Sequence, residues 1–437
     1  MERLTVIGGG LAGCEAAWQA ALQGVPVTLF EMRPGRMTPV HRGGGLAELV
    51  CSNSLGSDNP EKPPGMLKSE LRLLGSLVLG CADECRVPAG QALAVDREAF
   101  SRAIEEKISS CPLISLRREE VSGLPGEGPL IVASGPMTSD SLAGALRELF
   151  GAEYLYFYDA VSPIVTLDSL DHALIYRASR YGRGEEAYLN CPMNREEYLR
   201  FRRELLSAGI QDLAEHEKNL FFEACLPIEE LARRGEDTMR FGPMKPVGLP
   251  DPVSGREPYA VLQLRQENRE GTLYNLVGFQ TRLLWPEQER VFRLIPGLGN
   301  AEFVRLGVMH RNLYINAPVH LLPTGQARIR PNLFLAGQMT GVEGYLESTA
   351  GGWLSGVNAA RLIRGENLIE LPPATAMGAL MRHITGADPR HFQPMNVNFG
   401  IFPQLQGKAG NKRERNLKIV QRAGEEASLL CSALRRS

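Results

Sequence analysis

The sequence predicts an α/β fold in which a strand, a glycine turn and a helix are completed by segments from the far end of the chain, with an α+β region inserted between. Three features predict it. First, Leu4-Thr5-Val6-Ile7 reads as a buried strand running into Gly8-Gly9-Gly10-Leu11-Ala12-Gly13 and then an alanine-rich helical pattern. Second, a short apolar strand, Leu130-Ile131-Val132-Ala133, ends in Ser134-Gly135. Third, Leu333-Phe334-Leu335-Ala336 leads into a loop holding Gly337, Gln338, Gly341, Gly344 and Tyr345, with a helix start expected at Ser348 to Gly352.

The first feature has a physical reading at each position. Gly8 permits the tight turn, Gly10 lets the backbone approach a pyrophosphate, and Gly13 lets the helix pack close to the strand. The helix N-terminus then faces the phosphates. A second apolar run, Val25 to Phe30, ends at Glu31, which can accept hydrogen bonds from a ribose; Arg33 lies just beyond. Such a turn serves NAD, FAD and S-adenosylmethionine alike. The later segments favour FAD. Flavoproteins return to the cofactor late in the chain, with a second helix N-terminus aimed at the flavin, where its partial positive charge stabilises the reduced ring. The expected fold is therefore a Rossmann-like FAD-binding domain of the two-dinucleotide-binding flavoprotein type with an inserted α+β substrate domain. Gly135, Gly337, Gln338, Gly344 and Tyr345 join Gly8 to Gly13, Glu31 and Arg33 as cofactor-binding candidates. There is no second GxGxxG, so a dedicated NAD(P) domain is not expected.

Length and texture divide the chain. At 437 residues two domains are the natural expectation. Residues 1–150 and 325–437 read as the two parts of the FAD-binding domain, and 151–324 as the inserted substrate or RNA domain. That middle part is rich in Tyr, Pro and Arg, with strand-like runs at Tyr259 to Leu264 and Leu273 to Val277. Hydrophobic content of 43% and charged content of 22% are those of a globular protein. The net charge of −2 gives no global signal for nucleic acid. No apolar run is long enough to span a bilayer, and the first apolar run is the cofactor strand itself, so neither a membrane partner nor a secretory signal is expected. The eight cysteines are scattered, with Cys81 and Cys85 the one close pair and no partner set for a metal. A reduced, cytoplasmic location follows.

The tail is basic. From Gly407 onward eight cationic side chains face three carboxylates, and Lys412, Arg413 and Arg415 stand at the start of a helical stretch. They are candidates for nucleic-acid phosphates; a solvated terminal helix is the plainer alternative. Tyr176-Arg177, Arg180-Tyr181 and Arg183 form a second basic and aromatic group able to stack and pair with an unpaired RNA loop, or to serve as an ordinary surface turn.

Three cysteines sit in surroundings that suit a reactive thiol. Cys51 opens the polar run Cys-Ser-Asn-Ser-Leu-Gly-Ser-Asp-Asn. Cys225 precedes Pro227 and a run of acids, so a helix is expected just beyond it, and a helix N-terminus raises thiolate content. Cys191, in Leu-Asn-Cys-Pro, is the third. A small buried hydrophobe is the alternative for each.

The segments GGGLAGCEAAW, LFEMRP, VCSNSLGSD, YLNCPM, FFEACLPIEELARRGEDTMRFGPMKPVGL, LVGFQT, GVMHRNLYINAP and AGQMTGVEGYLES together closely resemble the TrmFO family, the FAD- and folate-dependent tRNA (uracil-5-)-methyltransferases. The resemblance runs from the first strand to the basic tail. It implies 5,10-methylenetetrahydrofolate as carbon source, reduced FAD as electron source, NADH or NADPH as co-substrate, and 5-methyluridine at position 54 of the tRNA T-loop as product. Cys51 and Cys225 match the family's two functional cysteines, and Lys412 its basic tail lysine. The chemistry suits them: a thiolate adding at carbon 6 of uracil makes carbon 5 nucleophilic, and a methylene at the formaldehyde level needs two more electrons to become methyl. Cys225 is assigned to uracil and Cys51 to proton handling or protection at the flavin, the reverse division remaining open. Trp285 and Tyr345 are candidate stacking partners for a pterin. The related MnmG (GidA) enzymes, which modify the wobble uridine, normally carry a long extra C-terminal helical region; this chain ends soon after its basic stretch. A ribosomal-RNA uracil-5 methyltransferase and a small-molecule flavin oxidoreductase are the remaining alternatives.

Overall fold

The computed structural model describes residues 2–151, 155–182, 185–211, 226–405 and 411–435. Its first sheet is built as the apolar runs require. Leu4–Ile7 lies parallel to Val27–Phe30 on one side and to Leu130–Val132 on the other. Val27–Phe30 then pairs with Ile114–Arg117, and Leu130–Val132 with Arg330–Leu335, again parallel. Gln326–Ala327 closes the edge antiparallel. Leu4, Val6, Leu29, Ile131 and Leu333 are almost wholly buried, as strands covered by helices on both faces must be. The chain winds outward in opposite directions from Leu4–Ile7. A crevice therefore opens beyond the carboxyl end of that strand, the place where such sheets take ligands.

Two helices cover this crevice from the same side of the sheet's connectivity. Leu11–Leu22 follows the glycine turn, and Tyr345–Ile363 follows the late loop. They touch backbone to backbone. A Cβ on Gly352 would sit 2.2 Å from the Ala12 carbonyl oxygen, and one on Gly356 2.4 Å from that of Ala16. The alanine content of the first helix and the glycines of the second thus have one cause. The second helix begins at Tyr345, three residues before the expected start, because Gly344 takes φ +119° and turns the chain directly into it.

The middle of the chain forms a second sheet, all antiparallel, in the order Tyr176–Arg177, Tyr188–Met193, Ala260–Gln266, Leu273–Leu276, Ile164–Thr166 and Phe303–Arg305. The strands read at Tyr259 to Leu264 and Leu273 to Val277 are neighbours in it. This sheet has its own apolar cluster, including Tyr198, Phe201, Phe279 and Phe292, separate from the cluster around the first sheet. The chain passes between the two along an antiparallel ribbon, Leu155–Ala160 with Met309–Tyr314.

The helix contact yields a prediction of sign. Gly→Ala inside a helix ordinarily stabilises by up to about 1 kcal/mol. Gly424→Ala, in the exposed part of Lys412–Leu434 with no atom within 4 Å of the new Cβ, follows that rule. Gly352→Ala is expected to lose about 2 kcal/mol or more, because the backbone of Ala12 cannot yield without repacking. Urea unfolding of the two variants checks the opposite signs.

Candidate active site

The glycine turn folds as its residue types demand. Gly8 has φ +108°, and a Cβ there would lie 2.4 Å from the Ala133 carbonyl oxygen. A Cβ on Gly13 would lie 1.8 Å from the Gly8 carbonyl oxygen. Gly10 is different: no protein atom lies within 4 Å of its Cβ position. Nothing in the protein forbids a side chain there, so the space in front of Gly10 is a cradle that a side chain would fill. Gly10 is also the N-cap of the first helix, with no side chain capping it, so the first-turn N–H groups are left to an anion.

Glu31 has a role the sequence reading missed. Its Oε2 accepts from the Gly9 N–H at 2.9 Å, and its Oε1 accepts from the Arg33 N–H at 2.9 Å and Arg33 Nε at 2.8 Å. Burial alone would raise this carboxyl; the Arg33 hydrogen bond and charge outweigh it and hold the carboxyl below its ordinary range. The acid therefore ties the glycine turn to the next strand and keeps one acceptor position, on Oε2, while lining the crevice.

One cavity of about 430 Å³ occupies the crevice. Its lining contains Gly8, Gly9, Gly10, Leu11, Ala12, Glu31, Arg33, Gly135, Gly337, Gln338, Gly344 and Tyr345, together with Cys51. The structure thus gathers the predicted cofactor residues with one exception: Gly13 stands behind the turn, packed on Gly8, and does not line the space. The late loop is held by Gln338 Nε2 donating to Glu343 Oε2 at 2.8 Å. Glu347, in the first turn of the Tyr345–Ile363 helix, also lines the cavity; burial pushes its carboxyl up to about 7 against the N–H of Val397 at 3.0 Å.

Cys51 is presented by a clamp made of distant residues. The Tyr345 hydroxyl accepts from the N–H groups of Cys51 at 2.9 Å and Ser52 at 3.2 Å. On the carbonyl side, Arg97 donates to Leu49 O and, at 3.1 Å, to Cys51 O, while Arg305 Nη2 donates to Val50 O at 2.6 Å. Arg265 then donates to Ser52 Oγ at 2.7 Å and Asn53 Oδ1 at 2.8 Å. Asn53 Nδ2 in turn donates to the carbonyls of Val95 and Gln266. Arg97, Arg265 and Arg305 were invisible as a set in the sequence: they are far apart, and no periodicity links them.

The other candidates separate. Cys225 lies outside the described residues; the helix expected beyond it is present as Ile228–Arg234. Cys191 is corrected: it is fully buried in the second sheet, where burial pushes its thiol up, and it is remote from the cavity lining. Tyr345 lines the cavity, whereas Trp285 stands exposed at the start of Trp285–Phe292 and does not. Arg180 is turned inward, donating to Val247 O and to Gln263 Oε1 at 3.1 Å, so its guanidinium fastens the sheet edge. Arg183 lies outside the described residues. Lys412, Arg413 and Arg415 are exposed on the first turn of Lys412–Leu434, behind an Asn411–Glu414 capping box. A helix N-terminus disfavours cations, so these three raise the energy of the free surface. The stripe Ile419, Ala423, Ala427 and Cys431, further along the same helix, is buried; Lys412 and Arg415 precede it on the same face, before the helix reaches the body of the protein.

A parallel sheet with its crevice at the strand reversal, an uncapped glycine turn and a second helix N-terminus facing the same cavity define a Rossmann-like fold of the FAD-binding flavoprotein type. The family described as Glucose inhibited division protein A matches residues 3–367. The chain is 59% identical over 421 residues to "Methylenetetrahydrofolate--tRNA-(uracil-5-)-methyltransferase TrmFO" of Geobacter sulfurreducens, 96% of both chains. It is 58% identical over 426 residues to the Moorella thermoacetica protein of the same name, 97% of both. The chain belongs to the Glucose inhibited division protein A family and, within it, to the TrmFO group. Among solved structures, Aquifex aeolicus GidA in its form I crystal superposes with a TM-score of 0.71 at 17% identity, covering 98% of this chain and 76% of that one, a likeness of fold.

Glu347 sets a pH dependence. Its folded-state carboxyl titrates at about 7 against an ordinary 4.5, so the folded state holds a proton that the unfolded chain has released. Stability therefore falls as pH rises from about 4.5 through 7. Glu347→Gln is expected to make that fall shallower, with Glu70, pushed by burial up to about 8, supplying the residual slope. Urea unfolding of the cofactor-free protein across this range measures it.

Proposed function

We propose that this chain methylates carbon 5 of the uracil at position 54 in the T-loop of tRNA, taking the methylene of 5,10-methylenetetrahydrofolate and the electrons of FADH2, with NADH or NADPH as the reductant. The observation that carries this reading is the shared cavity. The glycine turn, the N-terminus of the Tyr345–Ile363 helix and the Cys51 thiol line one space, in a chain 58–59% identical to relatives of that name.

The chain's own groups divide the work. Gly8 to Ala12 and the open N-terminus of the first helix hold a pyrophosphate, with the Gly10 cradle giving it room. Glu31, fixed by Gly9 and Arg33, offers its remaining acceptor position to a ribose. Gly337, Gln338, Gly344 and Tyr345 receive the ring end, with Gly135 and Arg33 on the walls. Bound FAD supplies the hydride equivalent that takes the one-carbon unit from the methylene to the methyl level. Cys51, held by Tyr345 and the arginines, is the thiol that accepts or returns a proton beside that ring. Cys225, by resemblance, is the thiolate that adds to carbon 6 of uracil. Lys412, Arg413 and Arg415 are the phosphate contacts, because their placement against the helix dipole is relieved when an anion arrives. Arg180, engaged with Val247 and Gln263 within its sheet, is not offered to RNA in this arrangement.

Three experiments test the reading. Gly10→Val should yield protein with wild-type unfolding in the cofactor-free form but without the flavin absorbance of the purified wild type; full flavin occupancy would contradict the cradle. Nucleoside mass spectrometry should find label from the folate methylene in 5-methyluridine, and none from methyl-labelled S-adenosylmethionine. Cys225→Ala should lose both methylation and the covalent adduct with 5-fluorouracil tRNA. Label from S-adenosylmethionine, or 5-methyluridine formed without folate, would defeat the proposal.

A further inference from the structure

The clamp around Cys51 is electrically lopsided. Two guanidinium groups reach the peptide carbonyls that flank the thiol's own residue. Arg97 holds Cys51 O and is neutralised by Glu267, whose Oε2 lies 2.7 Å from Arg97 Nε. Arg305, the last residue of Phe303–Arg305, holds Val50 O and makes no ion pair among the described residues. Arg305 is 9% exposed, and its Nε has no hydrogen-bond partner. That Nε has essentially no contact with solvent, so a ligand arriving from water does not reach it; the charge acts through space. A charge in such surroundings is weakly screened.

The groups around Cys51 leave that charge standing. Arg42 adds to the positive side, as does Arg265 on Ser52 Oγ. Among the cavity carboxylates, Glu31 and Glu48 share Arg33, Glu48 also accepts from the N–H groups of Arg42 and Gly43, Glu120 pairs with Arg36, Glu343 accepts from Gln338, and Glu347 is raised to about 7. His41 lines the same space, and burial keeps the Tyr345 phenol protonated. Burial, with Arg97 and Arg42 beside it, lowers Arg305 only to about 10, so the guanidinium carries its charge at neutral pH.

We propose that Arg305 is a positioning residue that holds Cys51 in its thiolate form by placing an un-neutralised positive charge one residue from the sulfur. The proposal rests on the reading of Cys51 as a proton-handling thiol: a thiolate beside the flavin is ready to accept a proton, which a thiol is not. Arg305 does not line the cavity; it acts through the Cys51 loop, whose Val50 carbonyl it holds.

The test follows alkylation of Cys51 by iodoacetamide, an uncharged reagent that only the thiolate attacks, in purified flavin-containing protein across a pH series, read by mass spectrometry of the Cys51 peptide. Arg305→Met is expected to move the profile to higher pH and slow alkylation about tenfold near neutrality, the effect of losing one nearby charge. Arg305→Lys, which keeps the charge, should restore the wild-type profile. Glu267→Gln, which frees the charge of Arg97, should move it the other way. Superimposable Arg305→Met and wild-type profiles overturn the proposal, as does an Arg305→Lys profile identical to that of Arg305→Met. Should Arg305→Met not fold, Arg305→Gln, which keeps a donor for the Val50 carbonyl without the charge, decides, and a profile superimposable on that of the wild type refutes the proposal. The readout is sulfur chemistry and not methyl transfer, so the proposal stands or falls separately from the assigned reaction.

Discussion

Everything at the site depends on two helix backbones meeting without side chains between them. Gly352 and Gly356 press on the carbonyls of Ala12 and Ala16, and this contact fixes where the N-terminus of the Tyr345–Ile363 helix stands relative to the Gly8 to Gly10 turn. Those two N-termini are the positive poles that face the cavity. A packing constraint thus sets an electrostatic one: separate the helices by one methyl group and the two ends of the cavity no longer face the same ligand. The strands beneath are short, and their pairing fixes only the plane from which the helices start.

The second constraint runs between the two sheets. Residues 49–53 belong in sequence to the first, yet Arg265, Gln266 and Arg305 of the second hold them, with Arg97 linked to Glu267 across the boundary. The thiol is therefore placed by both apolar clusters at once. Tyr345 completes the hold from the return helix, so the position of Cys51 reports on how the second sheet and the return helix are placed against the first sheet. A loop with ordinary turn chemistry would wander; this one has its carbonyls and its N–H groups satisfied by side chains from elsewhere, at modest cost per bond and large gain in geometry.

Legibility in the sequence followed the range of the interaction. The glycine turn was readable because most of its geometry is local: Gly13 is demanded by the Gly8 carbonyl five residues away and Gly8 by its own positive φ, although the distant Ala133 crowds Gly8 as well. Four of the parallel strands were readable as short apolar runs; Ile114–Arg117, an edge strand that alternates polar and apolar residues, was not. The start of the Tyr345–Ile363 helix was misplaced because Gly344 at positive φ, a backbone fact, begins it earlier than the residue pattern does. The pairing of Glu31 with Gly9 was hidden because an acid at that position already had a sufficient explanation in the ribose. The arginine clamp was unreadable for a different reason. Its members are dispersed along the chain, and an arginine that will bind a buried carbonyl looks like any surface arginine. Arg180 illustrates the converse: grouped with aromatics in the sequence, it spends its guanidinium on Val247 and Gln263.

The strand order has a consequence for synthesis. Leu130–Val132 is an interior strand whose outer neighbour is Arg330–Leu335, and the whole second sheet is encoded between them. At a ribosomal rate of about 5–20 residues per second, that neighbour emerges roughly 10–40 s later. During that interval the nascent chain carries an apolar strand with an unfilled pairing edge, the kind of surface that recruits strands from other chains. The separate apolar cluster of the intervening segment lets it fold meanwhile as its own unit, and the ribbon of Leu155–Ala160 with Met309–Tyr314 returns the chain beside its point of departure. The nucleotide turn is thereby made first, and the wall opposite it only after the second sheet has been translated.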